Sequence, residues 1–174
     1  MKKVFFIFTV VISLIIIANL LGQGFTYVGA QKCKICHQSE KQGLQFPTWE
    51  KSNHSQSFIA LSSEKAQSIA KEIGLQNPAE SPKCLICHAP LFEKAPEIEA
   101  EGVTCEVCHG PGSEYKKLNI MKDKELAIKN GLFVYGSVEA IKNHCANCHE
   151  NAHEKSFDFA SSWEKIKHPI PEKK

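Results

Sequence analysis

The longest hydrophobic stretch of the chain lies close to its N-terminus. An apolar run of 18 residues covers positions 4–21, is interrupted by only three polar residues, and follows two lysines. This pattern is typical of a secretory leader, and its length is also sufficient to span a bilayer. We therefore predict that residues 1–24 are a signal peptide or an N-terminal membrane anchor, attached in the second case through residues 4–21. Either alternative exports the remaining domain, residues 25–174.

After this leader the apolar positions are short and follow helical spacing. The clearest stripe, preceded by serines that can cap a helix and followed by a glycine, consists of Ala66, Ile69, Ala70 and Ile73. Other helices are predicted at 49–58, at 122–130, from Ser137 into Cys145, and up to about His168. No long alternating pattern predicts a β-strand. The expected fold class is mainly α, with short helices and loops wrapped around cofactors and little or no β-sheet.

Four copies of the sequence Cys-x-x-Cys-His supply the candidate cofactor chemistry. Two thiols on one helical turn can form thioether bonds to the vinyl groups of a haem, and the next histidine then lies beneath the iron as an axial ligand. The chain's eight cysteines all lie in these motifs, which predict four covalently bound haem c groups. The attachment residues are Cys33, Cys36, Cys84, Cys87, Cys105, Cys108, Cys145 and Cys148, and the iron ligands are His37, His88, His109 and His149.

Other uses of paired cysteines explain the motifs less well. Zinc ribbons, thiol redox sites and disulfides also use Cys-x-x-Cys pairs. None of them requires a histidine directly after the second cysteine. A zinc-ribbon interaction protein is therefore an alternative that applies only if the motifs do not bind haem.

The charged residues narrow the range of partners. The chain has 21 basic residues against 19 acidic ones, and every basic residue is a lysine. No basic patch typical of nucleic-acid binding is present. The lack of arginine also argues against a site that holds an oxyanion substrate with a bidentate guanidinium.

Several stretches outside the four motifs resemble the tetrahaem cytochrome c-554 family. They are Tyr27-Val28-Gly29, Trp49-x-x-Ser52-x-His54, the stretch 102–112 around the third motif with its Gly-Pro-Gly turn, and the closing segment from Phe157-Asp158-Phe159 to Lys167-His168. Together they extend over residues 27–169. The resemblance implies a periplasmic electron carrier in which three haems have two histidine ligands and one has an open sixth position.

The resemblance also implies specific ligands. His54 and His168 match distal ligands, each reaching a haem other than its neighbour in sequence. One departure is clear: the family has a ligand histidine shortly after the Gly-Pro-Gly turn, whereas this chain reads Ser-Glu-Tyr-Lys-Lys over 113–117. Because the family leaves its second haem five-coordinate, we expect any open iron at the haem of Cys84, Cys87 and His88.

Two further histidines are not assigned by the resemblance. His144 directly precedes Cys145 and could reach only a neighbouring haem; we include it as a candidate iron ligand because Ile141, one turn earlier, suggests an inward face. His153 follows His149 by four residues. A continued helix would keep it near the proximal side of the same haem, so we predict a surface position for it.

These observations predict an exported multihaem cytochrome, located in the periplasm or on the outer face of the cytoplasmic membrane. It would transfer electrons between redox partner proteins, whose identity the sequence leaves open, through four closely packed haems. The alternative is a small haem enzyme acting on a nitrogen species or peroxide at one five-coordinate haem. The lack of a compact acid–base constellation around His88 favours the carrier.

Overall fold

The computed structural model describes residues 24–150, 153 and 156–169, and the regular structure in these residues is entirely helical. The α-helices are α1 (Ala30–His37), α2 (Gln45–Glu50), α3 (Glu64–Glu72), α4 (Pro82–His88), α5 (Cys105–His109), α6 (Leu118–Met121), α7 (Lys124–Lys129), α8 (Val138–His149) and α9 (Phe159–Ile166). Short 3-10 helices cover Glu40–Gln42, Ile59–Ser62, Pro78–Glu80 and Pro96–Glu101. The predicted mainly α fold class is confirmed.

The predicted leader at 1–24 lies outside the described residues, apart from Gly24, and stays a prediction. Within the part of the chain that the structure describes, no helix is long and apolar enough to cross a membrane.

Each Cys-x-x-Cys-His motif forms the C-terminal end of an α-helix. The four motif histidines are the last residues of α1, α4, α5 and α8. The two cysteines of each motif therefore lie on the final helical turn, as thioether attachment requires. Since the chain leaves the helix directly after each histidine, the next segment is free to pass around a cofactor.

Side-chain caps set the starts of several helices. The Ser63 hydroxyl accepts a hydrogen bond from Ala66 N at 3.2 Å, and Ser137 Oγ accepts one from Ala140 N at 3.1 Å. These contacts satisfy backbone donors that the first helical turn leaves unpaired. The predicted serine cap before α3 and the predicted cap before α8 are both confirmed.

The region around His54 differs from the predicted helix at 49–58. Helix α2 ends at Glu50, and His54 lies in the turns that follow. Serine side chains explain the early end, because they bind carbonyls of the preceding turn: Ser52 Oγ donates to Trp49 O at 2.7 Å and Ser55 Oγ donates to Glu50 O at 2.9 Å. Such local bonds compete with continuation of a helix. The last helix also ends early, at Ile166, two residues before the predicted end.

The apolar core of the polypeptide is small and divided. One cluster of buried residues is Leu61, Leu85 and Ala89, and another is Tyr115, Ile120 and Ala127. Two isoleucines inside the motifs, Ile35 and Ile86, are 73% and 62% exposed. A chain with so little buried apolar surface fits a fold in which the cofactors supply much of the core.

A buried carboxylate joins the first and third motifs. Glu106, on α5, is 1% exposed. Its carboxylate accepts hydrogen bonds from Val28 N at 2.9 Å, from Gly29 N at 2.7 Å and from Gly112 N at 2.6 Å. Bonds from several backbone N–H groups compensate a buried negative charge. The same side chain therefore fixes the segment before α1 and the Gly-Pro-Gly turn after α5.

A second carboxylate supports the same junction. Glu101 Oε2 accepts a hydrogen bond from Ala30 N at 2.6 Å, at the first residue of α1. A negative charge is favourable at a helix N-terminus because the free N–H groups there carry partial positive charge. Helix α1 is thus positioned at its start by side chains from the third-motif region.

We predict that Glu106→Gln destabilises the haem-loaded protein. An amide in place of the carboxylate would turn an N–H group toward backbone donors and leave hydrogen bonds unmade, at a cost of about 1–3 kcal/mol. The free energy of unfolding, measured by chemical denaturation, should fall accordingly. Glu114→Gln is the matched control, since Glu114 is exposed and pairs only with Lys117, at 2.7 Å; surface pairs of this kind contribute about 0–1 kcal/mol. Equal effects of the two substitutions would contradict the structural role of Glu106.

Candidate haem centres

Three pairs of histidine rings face each other at nearly the same separation. In each pair one ring belongs to a Cys-x-x-Cys-His motif, and the other comes from outside the motifs. The ring centroids are 6.0 Å, 6.1 Å and 6.0 Å apart in the pairs His54–His149, His88–His153 and His109–His168. The interplanar angles are 50°, 64° and 42°, so none of the three pairs is a parallel stack.

This separation matches the space that one iron requires. An imidazole nitrogen binds a transition metal at about 2.0–2.1 Å and lies roughly 1.1 Å from its own ring centre, so two imidazoles on opposite faces of one iron have centroids about 6.2–6.4 Å apart. The observed separations of 6.0–6.1 Å are close to this value. The residues present therefore fit haem irons bound on both faces by histidine.

In two of the three pairs, the surroundings lower the pKa of both histidines. Burial lowers the pKa of His54 and of His109, and repulsion from the facing ring, His149 or His168, lowers each pKa further. Burial is likewise the main cause of the lowered pKa of His149 and His168. A lower pKa favours the neutral imidazole, whose lone pair is the one that coordinates a metal.

Ser57 connects two of the paired histidines. The ring of His88 donates from Nδ1 to Ser57 O at 2.7 Å, which leaves Nε2 for an iron. The Ser57 hydroxyl lies 2.8 Å from His54 O and 2.7 Å from His88 O, so its proton is shared between the two carbonyls. It also accepts a hydrogen bond from Val103 N at 3.0 Å. One side chain thus ties the His54 turn, α4 and the segment before α5 together.

The close approach of these segments requires a glycine at position 102. Gly102 has φ of 68°, in the left-handed region, and a Cβ there would lie 2.8 Å from His54 O and would also collide with Ser57 Oγ. Trp49 completes the junction, since its Nε1 donates to Val103 O at 2.8 Å. These contacts give a physical reason for the Trp-x-x-Ser-x-His stretch and for the glycine before the third motif.

Phenylalanine 157 packs directly on one of the paired rings. Phe157 and His149 stack with ring centroids 4.5 Å apart and an interplanar angle of 15°. Offset stacking of this type restricts rotation of the imidazole. The closing segment of the chain therefore orients His149 toward His54.

Cysteines from different motifs lie beside each other. Interaction with the neighbouring Cys33 thiol is the main cause of the raised pKa of Cys105. Burial, followed by interaction with the neighbouring Cys87 thiol, raises the pKa of Cys148 to about 12. Burial, followed by the nearby Cys145, raises the pKa of Cys108 to about 11. Attachment points of neighbouring motifs are therefore close in space.

Comparison with known proteins agrees with the site. Residues 32–110 match the family "Cytochrome c554 and c-prime". Over these residues the chain is similar to that family. The protein named cytochrome c-554 from Nitrosomonas europaea is 25% identical over 142 residues, which cover 72% of this chain and 58% of that protein. No solved structure matches the chain.

Similarity to this family supports covalently bound haem c. The structure brings both distal ligands that the resemblance implies close to motif histidines. His54 faces the fourth-motif histidine, and His168 faces the third-motif histidine. As the cytochrome c-554 pattern implies, neither ring reaches the motif that is nearest to it in sequence.

His144 and His153 occupy different places from those expected. The His144 ring packs edge-on against Tyr135, with centroids 5.5 Å apart, and among the described residues it faces no motif histidine. His153 is an exposed residue, as predicted, but its ring lies opposite His88. The expected open position at the haem of His88 therefore disagrees with this geometry, which places an imidazole there.

His37 is the motif histidine that lacks such a partner. Among the described residues, no second histidine ring lies opposite it at the distance seen in the three pairs. Its Nδ1 is buried and has no hydrogen-bond partner in the described part of the chain. The same residues contain no group of three or more His, Cys, Asp or Glu side chains that could hold a metal ion without haem.

We predict that Ser57→Ala weakens the junction around His54 and His88. The substitution removes the hydroxyl that donates to His88 O and His54 O, and Val103 N keeps only its bond to His54 O at 3.0 Å, so the free energy of unfolding should fall by about 1–3 kcal/mol. The EPR spectrum should also change for the haems that the two histidines serve, because their rings lose a fixed orientation. Ser68→Ala is the control, since Ser68 is exposed on α3 and contacts only Glu72. Identical spectra for both variants would argue against the role of Ser57.

Proposed function

We propose that the chain is an exported tetrahaem c-type cytochrome that passes electrons between redox partner proteins in the periplasm or at the outer face of the cytoplasmic membrane. The three opposed histidine pairs are the observation that carries this proposal. An iron bound by two histidines is low-spin and has no free position for a substrate. Such an iron changes its geometry little on reduction, which suits electron transfer rather than turnover.

The cysteine contacts support a continuous path between the haems. A thioether sulfur is bonded to the edge of its macrocycle, so neighbouring sulfurs imply neighbouring haem edges. The first motif neighbours the third through Cys33 and Cys105, and the fourth neighbours the second through Cys148 and Cys87. Cys108 of the third motif is close enough to Cys145 of the fourth for their charges to interact. The haems would then follow the order first, third, fourth, second, and electrons could enter at one end and leave at the other.

The second candidate function is a small haem enzyme that acts on a nitrogen species or peroxide. The unpaired position of His37 favours it, since catalysis at a haem requires an open iron. An enzyme also needs a placed proton donor and, for an anionic substrate, a cationic clamp. The chain has no arginine for that clamp. We therefore prefer the carrier.

We predict that the mature protein retains four haems on denaturation. We also predict that His54→Ala and His168→Ala each convert one low-spin haem to a high-spin haem. Both substitutions remove one axial ligand but leave the thioether bonds intact. Intact mass should exceed the polypeptide mass by four haem groups, and EPR should count the high-spin signals. His144→Ala is the control and should not change the spin states. Zinc in place of haem would refute the cofactor assignment, whereas parental spectra in both ligand variants would refute the ligand assignment.

We predict fast electron exchange and little turnover. The protein should be reduced rapidly by a low-potential donor and reoxidised by an acceptor, because three of its irons are saturated. With nitrite, hydroxylamine or peroxide as the substrate, steady-state assays should show rates below about 1 per second, the lower end of ordinary enzyme turnover. Sustained rates above that value would favour the enzyme instead.

A further inference from the structure

We propose that the haem on Cys33, Cys36 and His37 has the open sixth coordination position and binds small neutral ligands of ferrous iron, such as carbon monoxide or nitric oxide. His153 is then the sixth ligand of the iron on His88. This inference rests on the proposed set of four haems. It reverses the expectation that the second haem is the open one.

The distribution of the eight histidines is the first argument. Six of them form the three pairs, and all eight lie in the part of the chain that the structure describes. Only His37 and His144 remain. The His144 ring packs on Tyr135, and its residue directly precedes Cys145 on α8. It therefore belongs to the proximal side of the fourth motif and does not face His37.

The segment after the Gly-Pro-Gly turn gives the second argument. In the family pattern this segment supplies a ligand histidine, and here it presents Tyr115. Tyr115 is 5% exposed and donates from its hydroxyl to Gly110 O at 2.9 Å. Ser113 N donates to Thr26 O at 3.0 Å, and Thr26 N donates to Ser113 Oγ at 3.1 Å, so this segment runs beside the residues that lead into α1. The segment therefore approaches the first motif but brings a phenol instead of an imidazole.

The geometry of His153 is the third argument. Helix α8 ends at His149, so His153 does not lie on a continuation of this helix, and its own φ is 51°, in the left-handed region. The centroid of its ring lies 6.1 Å from that of His88, whose Nδ1 donates to Ser57 O. The iron on His88 would therefore have an imidazole on each face, which leaves no position for a ligand.

Titration of the fully reduced haem-loaded protein with carbon monoxide tests the proposal. We expect one carbon monoxide per protein and one high-spin ferric signal before reduction. His153→Ala should raise the stoichiometry to two, because it opens the haem on His88. Tyr115→His should lower it to zero, because an imidazole would then stand beside the first motif. Tyr115→Phe and His144→Ala should both leave it at one.

Several results would overturn the inference. They are no carbon monoxide binding by the parent protein, an unchanged stoichiometry in His153→Ala, and a second binding haem in His144→Ala. Retention of one ligand in Tyr115→His would place the open iron at another haem. If that variant does not incorporate haem, the double variant Cys33→Ala/Cys36→Ala supplies the same comparison. It should contain three haems, none of which should bind carbon monoxide. A parent protein with fewer than four haems by intact mass would instead contradict the proposed function.

Discussion

The architecture depends on three pairs of imidazole rings whose centroids lie 6.0–6.1 Å apart and which come from segments distant in sequence. Each ring pair joins the end of a motif helix to a turn or loop from another part of the chain. A bond between distant positions closes a long loop, and the entropic cost of closure rises only slowly with loop length. Three such closures would constrain this chain more than its two small apolar clusters can. Coordination bonds would therefore supply much of the stabilisation that a hydrophobic core supplies in other domains of this size.

Polar anchors supply the precision that coordination requires. The Glu106 carboxylate fixes the start of α1 relative to α5, and the Ser57 hydroxyl fixes the His54 turn relative to α4. Both anchors bond to backbone atoms, so they set the path of the chain and not only one side chain. Gly102 permits the closest of these approaches because any Cβ there would collide with the His54 turn. The ring separations therefore follow from backbone contacts that surround the cofactors.

Sequence patterns predicted the features that depend on neighbours in the chain. The helix caps at Ser63 and Ser137 and the motif helices follow from local spacing. That His54 and His168 face motifs other than their sequence neighbours follows from the family resemblance. Hydrophobic periodicity does not predict the turn at His54, because Ser52 and Ser55 compete with the helix through side-chain bonds. The exposed position of His153 agrees with the prediction, but its place opposite His88 does not follow from a continued helix, because α8 ends at His149. The loss of the histidine after the Gly-Pro-Gly turn was the signal that another histidine had to be considered as a ligand.

Relative to the family pattern, this chain has an additional imidazole opposite His88, from His153, and lacks the histidine after the Gly-Pro-Gly turn. Together these two differences affect the direction of electron flow. Both the first and the second haem are ends of the proposed path, since each has its thiol contact with one neighbouring motif. In the family pattern the open iron stands at the second haem, and here His153 closes that end while the first end lacks a histidine. In the proposed arrangement the number of haems with two histidines would stay at three. The position where a ligand can bind would then lie at the opposite end of the proposed path, and electrons that enter at the haem on His88 would cross the other two haems to reach it.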